Sequence, residues 1–130
     1  MTIPLEELEV YQLAEQVADL VWSVCRKWET FSKNTIGRQM VNAADSIGAN
    51  IAEGYGRFAF KENIQFCYYA RGSMFETRHW LRRATKRNLL SREQEVDLRT
   101  VLQLMAPKFN AYIKSIKSQI TLYQRATNNK

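Results

Sequence analysis

Apolar residues recur at steps of three and four along most of this chain, which is the spacing of one face of an α-helix. The first such segment runs from about Leu5 to Trp28. Its stripe contains Leu8, Tyr11, Ala14, Ala18, Val21, Cys25 and Trp28, widened by Leu13, Val17, Leu20 and Val24. The second segment runs from about Thr35 to Glu53. Its narrow, alanine-rich stripe contains Ile36, Met40, Ala43, Ala44, Ile47 and Ile51. Such a face lets neighbouring helices approach closely.

The third segment, from about Lys61 to Arg87, has two distinct faces. The predicted core face carries Phe66, Tyr69, Ala70, Ser73, Thr77, Trp80, Leu81 and Ala84. The opposite face carries four cations, Arg71, Arg78, Arg82 and Lys86, among Ile64, Tyr68, Phe75 and His79. A merely solvated helix face seldom mixes cations with large apolar side chains, so this face is predicted to be a contact surface.

The fourth segment begins after Ser91, which forms a capping-box pattern with Gln94, and runs to about Tyr123. Pro107 falls inside it and is expected to kink the helix. No stretch alternates as a strand would. Four helices joined by short turns predict an all-α fold, an antiparallel up-down four-helix bundle. We expect one domain spanning residues 1–130, with a frayed tail from about residue 124.

Charge changes this picture, because it is unevenly distributed along the chain. The 130 residues carry a net charge of +6, but the first twenty hold five acids and no Lys or Arg. The remaining residues therefore carry +11, and the sequence pI is near 9.5. Such a basic balance favours an anionic partner, of which nucleic acid is the commonest. A basic surface that is merely solvated is the alternative.

The cations concentrate between Arg71 and Arg92, a window with a net charge of +6. It contains one acid, Glu76, and seven cations: Arg71, Arg78, Arg82, Arg83, Lys86, Arg87 and Arg92. Arginine suits bidentate phosphate contacts, and the neighbouring aromatic rings could stack on bases. We therefore take the seven as candidate nucleic-acid-binding residues. Alternatively, they pair with the acidic first helix of a neighbouring subunit.

No constellation typical of an enzyme is present in the sequence. His79 is the single histidine, too little for a histidine metal cluster or a Ser-His-Asp triad. Cys25 and Cys67 form no CxxC pair and are interpreted as buried thiols. We predict no catalytic residues, metal or cofactor. No apolar run is long enough for a membrane span and no basic signal-peptide region is seen, so we expect a soluble, cytoplasmic protein.

The stretch from Ser46 to Arg57, SIGANIAEGYGR, resembles the signature of the four-helix-bundle proteins first named from open reading frames in ribosomal-RNA intervening sequences. Gly48 stands where that family commonly has proline. Two more pieces agree, Leu8 to Tyr11 at the N-terminus and Phe66 to Ser73 followed by Glu76. The resemblance covers the first three helices in order.

This resemblance implies a four-helix bundle that assembles into a ring-like homopentamer. It also implies kinship with the accessory variability proteins of diversity-generating retroelements, which are basic pentamers that bind a reverse transcriptase and nucleic acid. Two functional hypotheses follow. The first is a non-enzymatic oligomeric scaffold that binds RNA or DNA, in one form as accessory to a reverse transcriptase. The second is an assembly module without a nucleic-acid role, encoded in an rRNA intervening sequence.

The polar residues of the motif are interpreted as structural. They are Ser46, Asn50, Glu53, Gly54, Gly56 and Arg57. We hypothesise that Glu53 and Asn50 pair with the third helix, with Arg71 or Arg57 as the cation that meets the carboxylate. The two glycines are interpreted as a tight turn that ends the second helix in a left-handed conformation.

Overall fold

Four long helices account for most of residues 3–128, which are the residues that this computed structural model describes. They are α1, Glu9–Cys25; α2, Arg38–Tyr55; α3, Phe60–Lys86; and α4, Arg92–Asn128. A 3-10 turn at Leu5–Glu7 precedes α1. A short helix, Thr30–Ser32, and a π-helical turn, Lys33–Gly37, connect α1 to α2. Residues 3–128 contain no strand, so the predicted all-α class is confirmed.

Each long helix packs against two others, which makes a helical bundle. Helix α1 contacts α2 and α4, and α3 likewise contacts α2 and α4. The apolar stripe predicted for α2 is confirmed, because all six of its residues are buried. The largest buried side chains of the core include five from α2 and α4 that are almost inaccessible to solvent, namely Met40, Ile47, Ile51, Met105 and Phe109.

The predicted core face of α3 is partly wrong. Its buried residues are Ile64, Cys67, Ala70, Met74, Thr77, Leu81 and Ala84, again at steps of three and four. Tyr69, predicted to be in the core, is 51% exposed, whereas Ile64, predicted on the cationic face, is buried. Tyr68 also packs partly against the core. The reason is that α4 covers α3 from one side, so the buried arc of α3 is turned toward α4 and away from Tyr69.

The junction between α3 and α4 is built from local hydrogen bonds. Helix α3 ends in a Schellman arrangement in which Leu89 N donates to Ala84 O at 3.0 Å and Asn88 N donates to Thr85 O at 3.1 Å. Asn88 has a φ of 59°, in the left-handed region. The capping box of α4 is confirmed, since Gln94 N donates to Ser91 Oγ and Ser91 N donates to Gln94 Oε1, at 3.1 and 2.9 Å.

Helix α4 is longer than its sequence pattern indicated. It continues to Asn128, past the predicted end near Tyr123, and contains Pro107 in its interior. No glycine or second proline follows Pro107 to stop the helix earlier. The last two residues of the expected tail, 129 and 130, lie outside the described residues.

The interpretation of Gly54 and Gly56 as a left-handed turn is wrong. No glycine in residues 3–128 has a positive φ, and Gly54 lies buried inside α2. A Cβ on Gly54 would come within 2.6 Å of Asn63 Oδ1 and 2.8 Å of Phe66 Cβ. Glycine is needed at position 54 because α2 and α3 approach too closely there for any side chain, and not because of its backbone angles.

Candidate nucleic-acid interface

A surface groove runs between α3 and α4, and four of the seven predicted cations line it. We call it the α3–α4 groove. The part with the largest volume, about 560 Å³, lies beside Arg78, Arg82 and Lys86. It continues past Arg71 to a part lined by Lys114 and Lys117 of α4. The steps of seven and four from Arg71 to Lys86 keep these side chains on one side of α3.

Aromatic rings lie against the groove cations. The Arg71 guanidinium carbon is 5.2 Å from the centre of the Tyr68 ring, and Lys117 Nζ is 5.4 Å from the same centre. Arg78 stands in the same way 5.5 Å from Phe75, whose side chain is 61% exposed. These distances are in the range of cation–π attraction, which orders long cationic side chains without neutralising them.

Acidic side chains near the groove are bonded to residues other than its α3 cations. Glu95 accepts a hydrogen bond from Arg99 Nε at 2.8 Å, and both residues line the groove from α4. Glu76 accepts one from Trp80 Nε1 at 3.1 Å. Within residues 3–128, none of the four α3 cations of the groove forms an ion pair with an acid. Their positive charge is therefore free to meet an anion from outside the chain.

The other three predicted cations do not line this groove. Arg83 is half-buried, Arg87 is exposed directly after the end of α3, and Arg92 begins α4. The sequence interpretation missed Lys114 and Lys117. Their spacing of three places them on one side of α4, but the sequence does not reveal that this side meets Arg71.

The hypothesis that Glu53 and Asn50 pair with α3 is wrong for the described structure. Glu53 Oε1 instead accepts from Arg57 at 2.6 Å, one turn later and at the surface. Asn50 Nδ2 donates to Ser46 O at 2.8 Å, and Ser46 Oγ donates to Asn42 O at 2.7 Å. Polar side chains four residues apart reach each other more easily than a neighbouring helix does. Of the two cations proposed for Glu53, Arg57 is confirmed.

The two cysteines lie in the core as free thiols, as predicted. Burial raises the pKa of Cys25 to about 12 and that of Cys67 to about 11. Neither thiol is therefore ionised near neutral pH. Residues 3–128 hold no group of three or more metal-ligating side chains. Within the same residues, no helix combines the length and apolar character needed to cross a membrane.

Two comparisons with known proteins, one of sequence with a family model and one of structure, give matches. Residues 6–111 match the model of the family described as 23S rRNA-intervening sequence protein. The chain is similar in structure to a crystal structure of a protein of unknown function from the S23 ribosomal protein family of Bacteroides thetaiotaomicron, with a TM-score of 0.72 and 21% sequence identity. That similarity covers 81% of this chain and 98% of the other. No curated protein matches the sequence significantly.

Proposed function

The chain belongs to the 23S rRNA-intervening sequence protein family, and from that premise we propose that it is a non-enzymatic scaffold that binds RNA or DNA in the α3–α4 groove. The observation that carries the proposal is the row of exposed α3 cations, Arg71, Arg78, Arg82 and Lys86, which have no acidic partner in residues 3–128. Such a row repels itself and is stabilised by a chain of phosphates.

The shape of the groove suits a sugar–phosphate backbone. Arg71 and Lys86 are fifteen residues apart, which is about 22 Å along a helix. Lys114 and Lys117 extend the positive surface on the α4 side at the Arg71 end. The exposed ring of Phe75 lies between the cations and offers a stacking surface that does not depend on base identity. We therefore expect binding with little sequence preference.

A charge reversal inside the groove tests this proposal. We expect Arg78→Glu with Arg82→Glu to weaken binding of a fluorescein-labelled 20-nucleotide RNA at least tenfold at low salt, measured by anisotropy, since each change replaces a phosphate contact by repulsion. The matched control is Arg83→Glu with Arg87→Glu, which changes the net charge equally but outside the groove. Equal losses from the two pairs, or no binding of RNA or DNA by the unaltered protein, would contradict the proposal.

A second candidate function, assembly alone, is favoured by an acidic cleft between α1 and α2. We call it the Asp19 cleft. Its lining includes Glu15, Asp19 and Asp45 together with small residues such as Ala49. Burial and the nearby charge of Asp19 raise the pKa of Asp45. The clustering of three carboxylates in one cleft favours a cation from outside. The groove cations of a second copy would fit it, and repetition of that contact would close the proposed homopentameric ring.

Mass measurement separates the two candidates. We expect the unaltered protein to sediment at five times the 15.2 kDa chain mass. If the groove binds nucleic acid, Arg78→Glu with Arg82→Glu loses RNA binding and keeps that mass. If the groove serves assembly, the same change lowers the mass. Adding Asp19→Lys with Asp45→Lys to that variant then restores the mass, because the charges of the two surfaces are exchanged.

Two further parts of the proposal concern topology and partner. An antiparallel up-down order is supported by two contacts. Trp28 bonds to Leu89, which joins the α1–α2 connection to the α3–α4 turn. Gly54 at the end of α2 approaches Phe66 near the start of α3.

A reverse transcriptase as protein partner rests on the resemblance to accessory variability proteins. A neighbouring reverse-transcriptase gene with a paired template repeat would support it, and a location inside a ribosomal-RNA gene would contradict it.

A further inference from the structure

A second basic groove lies between the end of α1 and the start of α2, away from the seven cations that the sequence singled out. We call it the Trp22 groove. It has a volume of about 340 Å³ and is lined by Trp22, Cys25, Arg26, Lys33, Gly37, Arg38, Val41 and Asn42. Its lining holds three cations and no acid.

Trp22 is the unusual residue of this groove. It is 56% exposed, although its indole is the largest apolar side chain of α1 and the core stripe of α1 lies on other residues. Arg26 follows one turn later, directly after the end of α1, and both side chains line the groove. An exposed indole beside cations is the arrangement on which nucleic-acid bases stack.

The charges of the three groove cations are not neutralised by any acid among the described residues. Arg26, Lys33 and Arg38 form no ion pair within residues 3–128. The one acid of residues 26–38, Glu29, instead caps the short helix Thr30–Ser32, accepting from Ser32 N, Phe31 N and Ser32 Oγ at 2.8, 2.9 and 2.7 Å. These hydrogen bonds lower the pKa of Glu29 and leave its carboxylate facing its own backbone.

The groove is held in shape by packing around the connection. A Cβ on Gly37 would stand 3.2 Å from Ser32 O and 3.4 Å from the Trp28 ring, so the π-helical turn is tightly folded. Trp28 Nε1 donates to Leu89 O at 2.8 Å and fixes the connection against the α3–α4 turn. A site held in this way loses little conformational entropy when it binds a ligand.

We propose that the Trp22 groove binds a single-stranded segment of RNA, with one base stacked on the Trp22 indole and the adjoining phosphates on Arg26, Lys33 and Arg38. The inference rests on the proposed function, since the same RNA would have to reach both grooves. The Trp28–Leu89 contact joins the α1–α2 connection, which borders the Trp22 groove, to the α3–α4 turn that follows Lys86, so the RNA would pass over this end of the bundle. The strand must be single because a paired base is stacked inside its duplex and exposes no face to an indole.

The test uses the full chain and a labelled oligouridine of 20 nucleotides. We expect Trp22→Ala to weaken binding about tenfold, because stacking on an aromatic side chain is worth a factor of this order. Trp22→Phe keeps a stacking ring and is expected to retain most of the affinity. The matched control is Phe31→Ala, which truncates an aromatic side chain that is 73% exposed in the same connection but does not line the groove. It should leave binding unchanged.

Failure of this inference differs from failure of the proposed function. If the unaltered protein binds no RNA, the proposed function fails and this inference fails with it. If the unaltered protein binds RNA, and Arg78→Glu with Arg82→Glu weakens binding whereas Trp22→Ala does not, the Trp22 groove is excluded as an RNA site. The proposed function of the α3–α4 groove then stands. If Trp22→Ala weakens binding of a 20-base-pair duplex as strongly as it weakens binding of oligouridine, the assignment to single-stranded RNA is overturned. If Phe31→Ala weakens oligouridine binding as much as Trp22→Ala does, the assignment to the Trp22 groove is overturned. Circular dichroism of each variant checks that the helices remain.

Discussion

At the scale of single residues, two glycines of α2 illustrate why residue type alone does not reveal a role. A Cβ on Gly48 would meet Ala14 Cβ at 3.6 Å and Tyr11 Cε1 at 3.8 Å, which are ordinary contacts with α1. A Cβ on Gly54 would collide with Asn63 and Phe66 at less than 3 Å. An alanine therefore fits at position 48 but not at position 54, although both are glycines of the same helix.

Alanine substitutions should consequently act in opposite directions. Gly48→Ala is expected to raise the free energy of unfolding by up to about 1 kcal/mol, because alanine is the better helix former. Gly54→Ala is expected to lower it by about 1–3 kcal/mol, because the added methyl group separates α2 from α3. Urea unfolding followed by circular dichroism measures both. Gly72→Ala is the control for propensity alone, since a Cβ at position 72 of α3 meets nothing within 4 Å.

The buried thiols make a prediction about alkaline pH. In the unfolded chain each ionises near the ordinary pKa of 9.0, whereas burial keeps Cys67 protonated to about pH 11 and Cys25 to about pH 12. Unfolding then releases protons, so the stability is complete below pH 9 and falls as pH rises from 9 toward 11. The loss is expected to be up to about 1.4 kcal/mol per pH unit for each thiol.

Urea midpoints at pH 8 and pH 10.5 test the direction, and the double variant Cys25→Ala with Cys67→Ala serves as control. Its midpoint should depend less on pH than that of the unaltered protein. Some dependence should remain, because burial also raises the pKa of Tyr112 to about 12. An identical pH dependence in the two proteins would exclude the thiols as its cause.

At the scale of elements, helix ends were harder to predict than helix existence. The capping box at Ser91 was readable from sequence because it depends on two side chains three residues apart. The end of α3 depends instead on Asn88, which adopts a left-handed conformation so that Leu89 can bond back to Ala84. Asparagine tolerates this conformation without demanding it, so the sequence indicates a turn after α3 but not that Asn88 is left-handed.

The end of α3 therefore offers a test by substitution at Asn88. Asn88→Gly is expected to stabilise the protein by about 0.5–1 kcal/mol, because glycine has no Cβ to strain at positive φ. Asn88→Ala should destabilise it by about 1 kcal/mol, because alanine keeps a Cβ that is strained at positive φ and lacks the polar side chain that makes this conformation tolerable for asparagine. Thermal unfolding of the two variants side by side measures the difference. If both shifted stability in the same direction, the left-handed end of α3 would be contradicted.

At the scale of the whole molecule, packing distributes the charge into separate surfaces. Three acids of α1 and α2 line the Asp19 cleft, one set of cations lines the α3–α4 groove, and another set of three lines the Trp22 groove. Lys114 and Lys117 join Arg71 only because α3 and α4 pack side by side. The net charge of +6 thus conceals two basic grooves and one acidic cleft.

The contribution of α4 to binding can be measured through salt. If Lys114 and Lys117 each contact a phosphate of single-stranded RNA, Lys114→Gln with Lys117→Gln should reduce the slope of log affinity against log salt by about 1.4. Lys61→Gln, an exposed lysine of α3 outside the groove, is the control and should change the slope little. A slope unaltered by the double change would remove α4 from the interface.

The sequence by itself determined the four helices, the apolar stripe of α2, the buried thiols and the family, because these depend on periodicity and on contiguous motifs. Only the tertiary structure decided what each surface residue meets. It paired Glu53 with Arg57 instead of with α3, exposed Tyr69, brought Lys114 and Lys117 to the cationic row, and left Trp22 beside three cations. The physical reason is that a helical pattern fixes which side of a helix is apolar, whereas the neighbours of its polar side depend on how the helices are rotated and packed.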